Sequence, residues 1–225
     1  MKQLTFIDYF KTHEREMATR SNLQNQATGS IRSLNTTDLN SSIRNLKSHR
    51  IHGGELIIGK RKTQRPVVPK KWMHVTLKSS FAKGNLSMLH VRHRMKIQKM
   101  IHRYARKYLI KVGDGVNMGN HFHLKIKSPN RECFQNFLRA ITGNIARLVT
   151  GAQKGKPFGK KFWDSLAFSR VLTSSYEVFL LNTYLTANRK ERTHGYQARK
   201  KFLNDFNLWM KQHTLNSVNL RASLE

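Results

Sequence analysis

The chain has 225 residues, and its 42 Lys and Arg residues against 12 Asp and Glu residues give a formal net charge of +30 at pH 7. A surface this basic attracts polyanions, so nucleic acid is the expected partner, although a basic protein of ribosomal or chromatin type fits the charge equally well. The single cysteine, Cys133, excludes an intramolecular disulfide, and the lack of a signal peptide or a long uncharged apolar run predicts a cytoplasmic protein with no membrane partner.

Residues 1–65 are predicted to form a mostly disordered polar and basic leader. Residues 21–48 are rich in Ser, Thr, Asn and Gln and contain no aromatic residue, so they offer little apolar surface to offset the entropy of ordering. Residues 51–71 combine a glycine pair, two prolines and a basic run, which is typical of a linker that can lie along a phosphate backbone. The folded unit is expected to begin near Pro69.

The next part of the chain predicts a strand, a helix and a hairpin. Residues 72–80 alternate like a strand, and residues 86–109 carry apolar side chains at helical spacing. Two short strands follow, joined by a tight turn at Gly119 and Asn120, residue types that tolerate positive φ.

The second half predicts a helix, a strand and two further helices. Ser128 is the expected N-cap of the first, with Pro129 in its first turn. Its predicted buried stripe consists of Phe134, Phe137, Leu138, Ile141, Ile145 and Leu148. After a basic loop, residues 162–172 are extended. Ser174 and Glu177 have the spacing of a capping box at the start of the next helix, and residues 194–213 form a terminal amphipathic helix.

The order β-α-β-β-α-β predicts an α+β fold of the ferredoxin-like, split βαβ type. This fold has a four-stranded antiparallel sheet with helices on one face and an open opposite face. A further helix and a C-terminal helix would be added to it.

Two histidines stand at strand spacing in the segment "MGNHFHL". Side chains two residues apart on a strand point to the same face, so His121 and His123 lie side by side while Phe122 points into the core. Neutral imidazoles are metal ligands, but such a pair on a strand is common without a metal. His90 and His93, flanked by arginines, are interpreted as a surface that faces phosphate.

Tyr184 and Asn188 are four residues apart and share one side of their predicted helix. A tyrosine hydroxyl and an amide oxygen would therefore lie together at the rim of the buried surface. For an isolated tyrosine, a half-buried side chain with a hydrogen-bonded hydroxyl is the simpler interpretation.

Taken together, "VNMGNHFHLKIK" and the downstream "YLTAN" resemble the single-tyrosine HUH transposases, and in particular the REP-associated tyrosine transposases. The resemblance covers residues 66–191, the expected catalytic domain. The leader and the C-terminal helical extension, residues 192–225, have no matching counterpart. Arg189 stands where REP-type relatives usually have proline, and Gly119 where many relatives have proline.

The resemblance implies a DNA transposase that nicks and rejoins single-stranded DNA through a covalent phosphotyrosine. Tyr184 would be the nucleophile, and His121, His123 and Asn188 would bind a divalent metal, Mg²⁺ or Mn²⁺. A tyrosine with a pKa of about 10 is a poor nucleophile at neutral pH unless a cation neutralises the phosphate that it attacks, so the chemistry fits this set.

Single-stranded or hairpin DNA is the expected partner, in a bacterial-type cytoplasm in association with the nucleoid. Exposed basic side chains are expected to contact its phosphates: Lys154, Lys156, Lys160, Lys161, Arg103, Arg106 and Lys107. A homodimer remains open, because relatives build the active site within one chain or across two.

Two alternatives remain. An inactivated transposase copy is one. The other is an RRM-like binding module, which stacks bases on aromatic side chains such as Phe162, Trp163 and Phe168. A carboxylate-based two-metal nuclease is disfavoured, because the acidic residues between 69 and 191 are few and scattered.

Overall fold

The computed structural model describes residues 50–59 and 63–222, so most of the predicted leader lies outside the described residues. The strands are β1 Ile51–His52, β2 Met73–Lys78, β3 Lys111–Asn117, β4 His121–Lys127 and β5 Phe168–Val171. The α-helices are α1 Val91–Lys107, α2 Arg131–Thr150 and α3 Ser175–Ala222, and short 3-10 turns lie at Gly54–Ile57 and Gly84–Leu86. None of these helices is long and apolar enough to span a membrane.

The strands form one antiparallel sheet in the order β1-β5-β2-β4-β3. The α+β class is therefore as predicted, but the described sheet has five strands where the sequence predicted four. The additional strand, β1, lies in the segment interpreted as a linker and pairs with β5. Arg50, just before β1, donates to Glu177 and Thr173 and accepts from the backbone N–H of Val171, which fixes this short strand at the sheet edge.

One face of the sheet packs on α1 and α2 through apolar side chains. Met73, Val75 and Leu77 of β2 point to this side, and Phe122, Leu124 and Ile126 of β4 lie beside them. The helices complete the core with Ile97, Ile101, Phe134, Phe137, Ile141 and Ile145. Leu148, predicted to be buried, is only half-buried, and its neighbour Val149 is buried in its place.

The opposite face is covered, which corrects the expectation that it is open. Leu180, Leu181 and Leu185 of α3 pack there with Val116 of β3 and Leu172. At Gly195, where φ is 82° and ψ is 177°, α3 departs from helical geometry, so the predicted terminal helix is the second segment of a kinked α3.

The helix starts differ slightly from those expected. Asn130, and not Ser128, is the N-cap of α2, and its side-chain oxygen accepts from the Cys133 N–H at 2.8 Å. Ser174 accepts from the Glu177 N–H at 3.1 Å, as a capping box requires. The Glu177 carboxylate, however, accepts from the N–H of Thr173 and from Arg170, so it joins the start of α3 to β5.

Candidate active site

The histidine pair lies on the sheet face that α3 covers. The rings of His121 and His123 are 4.8 Å apart at 83°. The His121 Nδ1–H donates to Asn120 Oδ1 at 2.6 Å, and His123 Nδ1 lies 3.1 Å from both His74 Nε2 and Thr76 Oγ1. Each histidine thus uses Nδ1 for positioning, which leaves Nε2 to face the site.

The tyrosine of α3 packs against this pair. The ring centroids of Tyr184 and His123 are 5.2 Å apart at 87°, and Tyr184 is only 3% exposed. Burial raises the pKa of the Tyr184 hydroxyl, and the nearby side chains of Asn188 and Arg199 oppose that shift. The two segments that carried the resemblance are therefore adjacent in space.

Asn188 lies one turn beyond Tyr184 and is fully buried. Its Oδ1 and Nδ2 make no hydrogen bond of ordinary geometry among the described residues, although the side chain lies close enough to the Tyr184 hydroxyl to lower its pKa. His123 Nε2 likewise has no hydrogen-bond partner among these residues. A buried polar atom without a partner costs free energy, so unpaired groups concentrated at one place indicate a site built to receive a ligand.

The imidazoles of this site are held in the neutral form. Burial lowers the pKa of His121 to about 4, partly opposed by the charge of Glu191. Burial also lowers the pKa of His123 well below its usual value, and the neighbouring His74 and His121 add to the effect. Neutral nitrogen and amide oxygen form a donor set that fits a divalent metal ion. Within the described part of the chain no cluster of three or more His, Cys, Asp or Glu side chains forms a metal site, so the set depends on Asn188.

Three residues of this site were not identified from the sequence. His74 and Thr76 alternate with the apolar residues of β2. This alternation was the sequence signal that could have placed both residues on the same sheet face as the histidine pair. Burial lowers the pKa of His74 to about 3. Arg199, from the second segment of α3, lies over the Tyr184 ring at 5.5 Å and is paired with Glu191 at 2.6 Å. No sequence signal linked it to Tyr184, because the kink at Gly195 determines where it lies.

Arg189, the position at which the sequence departs from the pattern that it resembles, forms an ion pair with Asp114 of β3. This contact joins α3 to the last strand of the sheet, beside the site. The departure therefore has a structural role in this chain.

The predicted phosphate-contacting residues lie on two elements. Arg103, Arg106 and Lys107 are exposed near the end of α1. Arg103 lies over the ring of Tyr104 at 5.1 Å, and Lys107 over the ring of Tyr108 at 5.4 Å. The four lysines of the loop that follows α2, at positions 154, 156, 160 and 161, are also exposed.

The aromatic residues required by the RRM-like alternative are not on an open sheet face. Phe162 is 5% exposed and belongs to the apolar core. Trp163 is half-buried and donates from Nε1 to the Thr142 carbonyl at 3.0 Å. Phe168 packs edge-on against His74. These contacts argue against base stacking on this sheet.

Comparisons with known proteins yield structural neighbours only. No protein-family model and no curated protein matches the chain. A REP-associated tyrosine transposase bound to a REP hairpin is similar to it with a TM-score of 0.43 and 10% identity, over 61% of this chain and 76% of that one. A candidate transposase from Deinococcus radiodurans R1 is similar with a TM-score of 0.35 and 16% identity, over 57% of this chain and 98% of that one. At TM-scores this low the inference about the site rests on the geometry above.

Proposed function

We propose that the chain is a DNA transposase of the single-tyrosine HUH type that cleaves and rejoins single-stranded DNA. The observation that carries the proposal is the group formed by His121, His123, Tyr184 and Asn188. Two neutral histidines, a tyrosine and an incompletely hydrogen-bonded amide lie together on a face where apolar packing would have been more stable.

A divalent metal ion, Mg²⁺ or Mn²⁺, would be held by His121, His123 and Asn188. The Nδ1 contacts with Asn120, His74 and Thr76 would fix the ring orientations for binding through Nε2. When bound, the metal would neutralise charge on the phosphate under attack.

Tyr184 is proposed as the nucleophile. Its hydroxyl oxygen would form a bond to phosphorus as the bond from phosphorus to the 3′ oxygen breaks, which gives a 5′-phosphotyrosine and a free 3′ hydroxyl. The phenol gives up its proton and the departing 3′ oxygen takes one up, so no net proton is gained or lost in this step. Attack by a 3′ hydroxyl on the same phosphorus would reverse the step and release the tyrosine, so one site would both nick and join. Since Tyr184 is buried, the side chains that cover it must shift when DNA binds.

The finer fold assignment belongs to this proposal. Without β1, the strands lie in the order β5-β2-β4-β3 across the sheet, and each is antiparallel to its neighbours. Numbered along the chain, these are the fourth, first, third and second strands. The helix α1 connects β2 to β3, and α2 connects β4 to β5. That arrangement supports a ferredoxin-like core with α3 added on the other face. The REP-type subgroup, location at the nucleoid and a homodimer are parts of the same hypothesis.

The DNA partner is proposed from charge. Single-stranded or hairpin DNA would contact the basic end of α1 and the lysines at 154, 156, 160 and 161. Through phosphate contacts these exposed side chains would contribute affinity more than sequence preference, because a phosphate contact does not read the base directly.

The deciding experiment is the capture of the covalent intermediate. The full chain is incubated with single-stranded hairpin oligonucleotides labelled at the 3′ end, the end that stays attached to a 5′-phosphotyrosine, in the presence of Mn²⁺. Adducts are separated by denaturing electrophoresis. We expect an adduct with the parent protein and none with Tyr184→Phe, since the Phe ring keeps the packing and removes only the hydroxyl.

Tyr176→Phe is the matched control, because Tyr176 lies on the same helix and packs in the same cluster. An adduct that persists in Tyr184→Phe and disappears in Tyr176→Phe would refute the assignment of the nucleophile. Tight binding without an adduct across a broad hairpin library would contradict the catalytic function and favour an inactivated copy.

A further inference from the structure

An exposed phenylalanine lies on a well-anchored loop just after β2. Phe81 is 39% exposed. The preceding residue, Ser80, donates from its N–H and its hydroxyl to the two carboxylate oxygens of Asp164, at 2.7 and 2.8 Å. Ser79 donates from its N–H to the Asn120 carbonyl at 2.8 Å. The loop therefore holds an apolar ring in solvent where its backbone has little freedom to turn it inward.

A second ring meets Phe81 from the basic loop that follows α2. The ring centroids of Phe81 and Phe158 are 5.9 Å apart at 86°, and Lys160 Nζ lies 5.9 Å from the centroid of Phe81. Two perpendicular rings form a corner in which a flat third ring can stack on one and contact the edge of the other.

The charges around this corner select an anionic partner. Five lysines on the two loops are exposed: Lys83, Lys154, Lys156, Lys160 and Lys161. Beside them lies a groove of about 710 Å³ lined by Arg147, Lys154, Phe158 and Lys160. Lysines alone suit any polyanion, but an exposed aromatic ring and a half-buried one among them suit a chain that carries both phosphates and planar bases.

The corner also lies at the same end of the sheet as the histidine pair. Lys78, the last residue of β2, pairs with His121 across the sheet, and Phe81 follows three residues later. The anchoring hydrogen bond from Ser79 ends on Asn120, the residue that positions His121. A strand lying across the histidine site could therefore continue over the two rings.

We propose that Phe81 and Phe158 form a stacking subsite for one unpaired nucleobase of the bound strand, with Lys160 at the adjoining phosphate. The subsite rests on the proposed function, because it assumes single-stranded DNA at the histidine site. It would fix the position of the strand relative to Tyr184 without reading its sequence, since every base has a face that can stack.

Abasic scanning tests the subsite. Full-length Tyr184→Phe protein in the presence of chelator, which cannot cleave, is titrated with single-stranded oligonucleotides that each lack one base. We expect one position at which loss of the base weakens binding about tenfold. In Phe81→Leu, which keeps apolar bulk but has no aromatic face, the intact strand should bind about tenfold more weakly and the abasic penalty at that position should disappear.

Three comparisons make the result specific. Phe81→Trp should restore both the affinity and the penalty. Tyr196→Leu removes another exposed ring, 47% exposed on α3, and should change neither. Replacing Lys156 and Lys161 by Ala should lower the salt dependence of binding and keep the penalty, whereas Phe81→Leu should keep the salt dependence.

A penalty that persists in Phe81→Leu, or no sensitive position in the starting protein, would overturn the subsite. Failure of Phe81→Trp to restore binding would also overturn it. None of these readouts needs cleavage, so the subsite and the covalent chemistry can fail separately.

Discussion

The two faces of the central sheet are built from the same strands but bury very different side chains. On β2, Met73, Val75 and Leu77 point to α1 and α2, whereas His74 and Thr76 point to α3. The first face is a continuous apolar core. The second holds the buried His74 and His123 with the half-buried His121 beside them, and an asparagine and a tyrosine from α3.

The difference separates stability from function. Burial of apolar area stabilises the fold, whereas burial of neutral imidazoles and an incompletely hydrogen-bonded amide costs free energy. The α3 face also carries apolar residues, Leu180, Leu181 and Leu185, so the polar group is local within it. A fold keeps such a group where a ligand or a reaction compensates for it. We therefore expect substitutions on the two faces to have opposite signatures.

The largest effect is expected on the polar face, in catalysis. His121→Ala and His123→Ala should each reduce adduct formation below detection at physiological Mg²⁺ or Mn²⁺, because each removes a proposed ligand, while DNA binding in the gel-shift assay is retained. His102→Ala, an exposed histidine on α1, is the control and should cleave normally at saturating DNA. Unchanged cleavage in both variants, or in excess chelator, would contradict the metal site.

On the apolar face the effect should appear in stability. Phe137 is fully buried between α2 and the sheet, and Phe137→Ala should lower the free energy of unfolding by about 3–5 kcal/mol, the range for loss of a core phenylalanine. Phe179→Ala, at a residue that is 39% exposed, is the matched control and should cost far less. Urea denaturation measures both, and equal losses would mean that the core is not where the packing places it.

The buried histidines of the polar face should make the free energy of unfolding fall in acid. Burial lowers the pKa of His74 to about 3 and of His121 to about 4, whereas an unfolded histidine titrates near 6.5. Between these values the unfolded chain binds more protons, so stability is complete above pH 6.5 and declines as the pH falls. In metal-free protein we expect a loss on the order of 2 kcal/mol per imidazole between pH 7 and pH 4.5. His74→Phe should reduce the dependence of the free energy of unfolding on pH, measured by urea denaturation at a series of pH values. An unchanged pH dependence would show that His74 does not contribute.

Much of this contrast was visible in the sequence. Strand alternation places His121 and His123 on one face and Phe122 on the other, and helical spacing places Tyr184 and Asn188 on one side of α3. Both are local rules, and the structure brings the two segments together. The hairpin at Gly119 and the main helices also follow from local pattern.

The features of the fold and the site that local sequence pattern does not predict depend on contacts between distant segments. The strand β1 has only two residues, too few for alternation to be detected, and is held by the contact of Arg50 with Glu177. The covering of the second face, and the position of Arg199 over Tyr184, depend on where α3 packs and bends at Gly195. Phe81 has no detectable signal in the sequence, because a single phenylalanine in a loop carries no periodicity.

The smallest effect should be a gain. Asn188 is fully buried, and beyond its loose contact with the Tyr184 hydroxyl its Oδ1 and Nδ2 make no hydrogen bond among the described residues. Asn188→Leu has nearly the same shape and no polar atoms, so in metal-free protein it should raise the free energy of unfolding by about 1 kcal/mol. The same change removes one proposed ligand of three, so the rate of adduct formation should fall, though less than in the histidine variants. Urea denaturation in chelator and adduct kinetics in Mn²⁺ measure the two effects. A loss of stability would mean that the amide serves the fold, whereas a gain in stability with a loss of rate is the signature of a residue retained for function.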